Sequence, residues 1–200
     1  MTAASQDPAP APVYRGMSQA ELDAQYDLRT AAPDHEVWAA RRTNWSQRAR
    51  ADLACSLGVR YGTTDRQAMD IFPAAEGSVP AGTLAPVEIY IHGGAWRAKS
   101  KEDVSFIAEA LVPAGVMFVA IDHDLLPGVT LDQIVAQVRE AVAWIHRNIA
   151  GFGGDPARLH VSGHSSGGHL AAMVLATDWA AMGLPDDTIK GACLTSGLFD

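Results

Sequence analysis

The sharpest periodicity in the chain lies at residues 130–149. There Ile134, Val138, Val142, Ile145 and Ile149 recur at three- and four-residue spacing among polar positions. That spacing gathers them on one stripe and predicts an amphipathic helix lying on a core. Thr130 with Gln133 makes a capping box at its start, and Gly151 marks its stop. Residues 116–121 form an uninterrupted apolar run, the pattern of a strand covered on both faces. Further strands are predicted at 58–61, at 68–72 (stopped by Pro73), at 87–91, at 159–161 and at 189–194. Helices are predicted at 102–111, ending before Pro113, and at 164–176. Strand and helix thus alternate, which implies a mostly parallel, twisted sheet with helices on both faces.

The first half reads differently. Residues 1–13 (MTAASQDPAPAPV) are rich in Ala and Pro and predict a disordered tail. Ser18, three residues before Glu21, is a helix N-cap signal, and a second helical stretch covers 34–54 with Val37, Trp38, Ala49 and Leu53 among many charges. Residues 76–85 are a Gly/Pro/Ser loop. The expected organisation is a tail at 1–13, a helical region at 14–57 and an α/β core at 58–200.

Composition narrows the partners. The 15 Lys+Arg against 23 Asp+Glu give a net charge of −8, and no basic cluster is visible. Nucleic acid and anionic membrane both need concentrated positive charge, so neither is expected as a partner. Cys55 and Cys193 have no metal-type spacing and read as buried or incidental thiols. No leader pattern or apolar run of 18 residues occurs, so a cytoplasmic protein is expected. A small-molecule substrate is the expected partner, and a homodimer is compatible with the chain.

The candidate chemistry sits in two segments. Gly163-His164-Ser165-Ser166-Gly167 follows a predicted strand and opens a predicted helix. Glycines on both sides let the backbone take a strained turn that pushes Ser165 Oγ out at the strand end. Ser165 is the serine with glycine at both −2 and +2, so it rather than Ser166 is the candidate nucleophile. The alternative is a glycine-rich turn with no catalysis. His92-Gly93-Gly94-Ala95-Trp96 directly follows the strand at 87–91, where this architecture needs oxyanion donors. The N–H groups of Gly94, Ala95 and Ser166 are the candidates. His92 reads as a loop-stabilising hydrogen-bonder rather than the base, and Trp96 as packing behind the loop or a pocket wall. His123 between Asp122 and Asp124 has metal-ligand composition, but neighbours on a strand end point to alternate sides, so a plain loop is favoured. His169, one helical turn past Ser165, reads as a brace for the turn. Neither a metal nor an organic cofactor is expected.

HGGAW at 92–96 and GHSSGGHLAA at 163–172 resemble the oxyanion motif and nucleophile elbow of the α/β-hydrolase superfamily, in its kynurenine formamidase (arylformamidase) and HGGxW esterase branch. YGTTDRQAMDIFPA at 61–74 and AELDAQYDLRTAAPDH at 20–35 are similar to the same branch. The resemblance implies a serine hydrolase that cleaves an aryl formamide such as N-formyl-kynurenine, as in tryptophan catabolism. A carboxylesterase acting on small acyl esters is the alternative. In this fold the chain order is Ser, then acid, then His. After Ser165 come His169 and the acids Asp178, Asp186, Asp187 and Asp200. The expectation is therefore a hydrolase fold lacking its last strands, with the catalytic acid and histidine not present in these 200 residues. A non-catalytic hydrolase-like fragment is the competing expectation from another class.

Overall fold

The computed structural model describes residues 11–199, so the expected tail at 1–13 falls mostly outside the described residues and Asp200 falls wholly outside them. The chain divides into two compact units, Met1–Arg41 and Arg42–Asp200. In the first, α1 (Gln19–Tyr26) opens on Ser18, whose hydroxyl accepts from Glu21 N–H while the Glu21 carboxylate takes the Ser18 N–H. α2 (Leu28–Ala31) is a single turn, and α3 (His35–Asp52) begins here and ends in the second unit. Val37 and Trp38 are exposed, so α3 carries no continuous apolar stripe. Within the second unit it is held by polar contacts instead. Ser46 Oγ accepts from Phe106 N–H at 3.2 Å, Arg48 pairs with Glu109, and Arg50 with the fully buried Asp70.

The second unit is built on six strands: β1 (Ser56–Arg60), β2 (Ala68–Phe72), β3 (Ala85–Ile91), β4 (Met117–Ile121), β5 (Gly154–His164) and β6 (Ile189–Thr195). Their order is β1-β2-β4-β3-β5-β6. β1 and β2 run antiparallel, and β4, β3, β5 and β6 run parallel. This is the mostly parallel sheet expected from the alternation. Odd positions along β3 and β4, Val87, Ile89, Ile91, Met117, Val119 and Ile121, point to one face. They pack there with the stripe of α5 (Leu131–Asn148) and with α6 (Ser166–Leu175). Phe72, Phe118 and Ala120 point to the other face, against Val104, Ala108 and Val112. Helices therefore cover both faces, and the two-residue strand period decides which side chain meets which cover. No helix among the described residues is long and apolar enough to cross a membrane.

Four boundaries differ from expectation, each for a local reason. The helix expected at 102–111 is a 3-10 segment, Lys101–Ile107, followed by the short α4 (Ala108–Leu111). Within it Phe106 N–H donates to Ser46 Oγ, a contact invisible to local pattern. Gly151 is not the stop of α5: a 3-10 turn, Ile149–Phe152, follows the helix, and Gly153 at φ 90° takes the left-handed terminal position. β5 is far longer than 159–161: it begins at Gly154, which pairs with Ala85, and after a register shift the ladder with β3 resumes at Leu159. The helix expected from 164 starts at Ser166, since His164 still belongs to β5 and Ser165 is not helical.

Candidate active site

Parallel β3, β5 and β6 deliver their carboxyl ends side by side, the edge at which open α/β sheets place their ligands. β5 ends at His164, and Ser165 follows at φ 57°, ψ −125°. A positive φ for a residue with a Cβ is strained and must be held by its surroundings. The holding bonds are Ser165 N–H to Thr195 O at 2.9 Å and the Ser165 carbonyl, which accepts from Gly168 and His169 N–H. The turn is also too tight for side chains. A Cβ on Gly163 would lie 2.2 Å from Gly167 O, and one on Gly167 would lie 2.1 Å from Ile91 O. Ser165 itself is half-exposed, whereas Ser166 is buried.

The loop after β3 sits directly against this turn. A Cβ built on Gly93 would come within 3.3 Å of Ser165 Cβ and 2.6 Å of His164 O. Gly94 (φ 122°), Ala95 (φ 52°) and Trp96 (φ 57°) follow in conformations that reverse the chain, with Gly94 O accepting from Arg97 and Ala98 N–H. Trp96 N–H donates to Ser166 Oγ at 3.3 Å, tying the loop to the elbow. Among the described residues no acceptor takes the N–H groups of Gly94, Ala95 or Ser166. The arrangement thus presents a half-exposed hydroxyl with three uncommitted N–H groups on the two segments that meet around it.

The histidines divide by environment. His92 is 1 % exposed, with Nδ1 2.8 Å from Gly93 O and Nε2 3.0 Å from Asp122 Oδ1. Its ring stacks on His123 at 4.6 Å. Burial, helped by the charge of His92, pushes the His123 pKa down to about 4. His169 stands edge-on to the Trp96 ring at 5.3 Å, and burial lowers its pKa. His169 Nδ1 and Trp96 Nε1 are buried without a hydrogen-bond partner among the described residues. His164 is exposed; partial desolvation, then the charges of Lys99 and Arg42, hold it below the ordinary imidazole range. None of these rings hydrogen-bonds to Ser165 Oγ among the described residues.

Asp122, His123 and Asp124 diverge, as strand-end neighbours should. Asp122 accepts from Arg66 and His92, Asp124 from Thr64 and Gln137, and His123 Nδ1 faces Asp124 O. Among the described residues no group of three His, Cys, Asp or Glu is placed to hold a metal ion. Arg66 and Asp122 were not legible as part of the site, because their contact spans 56 residues and leaves no sequence pattern. A cavity of about 240 Å³ opens beside the elbow, lined by Arg42, Tyr90, Gly93, Lys99, Phe106 and His164 among others.

The sequence pattern of the BD-FAE family matches residues 69–188, which contain β2 to α6 and both motifs, and the chain belongs to that family. It is 37% identical over 195 residues to a kynurenine formamidase of Salmo salar, and 33% identical over 193 residues to one of Danio rerio. Each alignment covers 94% of this chain and 63% of the relative, so the chain spans less than two thirds of their length. Among solved structures, a candidate thioesterase from Silicibacter sp. TM1040 superposes with a TM-score of 0.65 at 28% identity, over 78% of this chain and 55% of that one. Esterase B from Lactobacillus rhamnosis shares the fold, with a TM-score of 0.59 at 21% identity over 82% and 54% of the two chains.

Proposed function

We propose that this protein is a serine hydrolase that cleaves an aryl formamide of the N-formyl-kynurenine type. The observation that carries the reading is Ser165, held at a positive φ between β5 and α6 with the Gly93 backbone against it. Ser165 Oγ attacks the formyl carbon, and its proton passes to a base. The oxyanion takes the N–H groups of Gly94, Ala95 and Ser166, whose donors have no other acceptor. The C–N bond then breaks, the arylamine leaves with a proton, and water releases formate from the formyl-enzyme. His92 and His123 are committed to Asp122, Gly93 O and Asp124 O, so neither is the base in this reading. The two kynurenine formamidase relatives support formamide as the bond cleaved.

A second reading, a carboxylesterase on small acyl esters, is favoured by the 33% identity to the esterase LipQ of Mycobacterium tuberculosis over 62% of this chain. Amide and ester hydrolysis use the same parts, so the pocket decides. Parallel turnover assays of the full-length protein on an aryl formamide and a short-chain p-nitrophenyl ester separate the two. Formamide turnover at least tenfold above the ester is the expected result, and the reverse preference selects the esterase.

A further inference from the structure

Gly93 and Gly94 share one planar trans peptide, so the Gly93 carbonyl and the Gly94 N–H point in opposite directions. Whatever holds that carbonyl therefore aims that N–H. The Gly93 oxygen is held by His92 Nδ1 at 2.8 Å, and a carbonyl only accepts, so Nδ1 carries the hydrogen. Nε2 of the same ring lies 3.0 Å from Asp122 Oδ1, and an ionised carboxylate also only accepts. The ring is thus held at both nitrogens, between the Gly93 carbonyl and Asp122, itself 4 % exposed. Arg66 fixes that carboxylate at 2.6 Å and also donates to Lys99 O and His123 O. His123 N–H gives Asp122 Oδ1 a third donor at 2.9 Å.

We propose that Asp122, fixed by Arg66, is a positioning residue. It holds the His92 ring by Nε2, and His92 in turn rotates the Gly93–Gly94 peptide so that Gly94 N–H faces away from the core and toward the reacting oxygen. This rests on the hydrolase function proposed for Ser165. Asp122→Asn keeps the volume but replaces a charge-assisted bond to the ring and to Arg66 with weaker neutral ones, so the ring is held less firmly. A misplaced donor costs roughly tenfold to a hundredfold in rate. The Asn variant should lose that much kcat with KM within about twofold.

The test combines a double-mutant cycle with ¹⁵N NMR of the His92 ring in the full-length protein. Because Asp122 acts through His92, adding Asp122→Asn to His92→Ala should cost nothing further. The ¹⁵N signal of His92 Nε2 should move between the wild type and Asp122→Asn, because its partner has changed. Additive losses, wild-type kcat in Asp122→Asn, or an unmoved Nε2 signal would overturn the proposal. Should Asp122→Asn fail to fold, Arg66→Lys, which keeps charge but loses the fork, takes its place with the same expected signs. If the wild type shows no Ser165-dependent turnover, the proposed function fails, and the ring spectrum alone decides whether Asp122 controls His92.

Discussion

The carbonyl oxygen of Ile91, the last residue of β3, occupies the space that a Cβ on Gly167 would need, 2.1 Å from its ideal position. The end of one strand and the first turn of α6 are thus in backbone contact beneath Ser165. That contact is what lets the elbow and the loop at 92–96 meet.

Gly167→Ala should accordingly damage the fold. Neither carbonyl at 2.1 and 2.6 Å can rotate away without breaking the sheet end, so the cost is about 3 kcal/mol, the upper range of overpacking. A thermal melt should show a Tm lower by about 10 °C for a chain of this size. Gly151→Ala, with nothing within 4 Å, is the control and should melt within about 2 °C of wild type.

Gly94 should tolerate no side chain. Its φ of 122° is closed to most L residues, and a Cβ would lie 2.1 Å from Ala98 O. Gly94→Val should lower kcat about a hundredfold or more, the scale of losing one oxyanion donor. Full turnover in a folded variant would make the loop structural only.

The pH dependence of stability should carry the mark of His123. Its pKa is about 4 in the folded protein against an ordinary value of 6.5. Between those values the unfolded chain binds a proton that the folded protein refuses, so stability rises with pH there. Its contribution is complete above pH 6.5 and is lost as pH falls through about 4, amounting to about 3 kcal/mol. Denaturant titrations at pH 7 and pH 4.5 should show this drop in wild type and a smaller one in His123→Asn. His146, His164 and His169, also lowered by burial, supply the remainder. An equal drop in both proteins would contradict the assignment.

Asp70 has no exposed side-chain surface and is paired with Arg50 and Lys101 while accepting from Gly58 N–H at 2.8 Å. Removing it leaves buried cationic groups and a backbone donor without their partner. Asp70→Ala should cost about 3–5 kcal/mol. The exposed Asp65, bonded only to Arg60, should cost about 1 kcal/mol or less when changed to Ala. Chemical denaturation of the two variants measures the contrast.

What could be read in advance depended on whether a residue's partner was near it in the chain. The α5 stripe from Ile134 to Ile145 needed only its own period, and the glycines at 93, 94, 163 and 167 announced turns that the backbone contacts explain. The start of β5 was hidden because Asp155, Pro156 and Arg158 look like a turn while Gly154 already pairs with Ala85. The 3-10 segment at Lys101–Ile107 meets Ser46 through Phe106 N–H, and the two residues are sixty positions apart. Arg66 lies in the segment at 61–74, but nothing in that pattern names its partner: it meets Asp122 only once β2 and β4 pair. Motifs pointed to the candidate groups at the strand ends, and their buried partners came only from tertiary structure.

The central claim is that Ser165 is the nucleophile. The most direct measurement is labelling of the full-length protein with a fluorophosphonate, followed by peptide mass spectrometry and repeated on Ser165→Ala. Loss of any one triad-type nucleophile costs several orders of magnitude in turnover. The account predicts one phosphonylated serine, at 165, with label and hydrolysis both abolished in Ser165→Ala. Label on another serine, or turnover retained in Ser165→Ala, would contradict it.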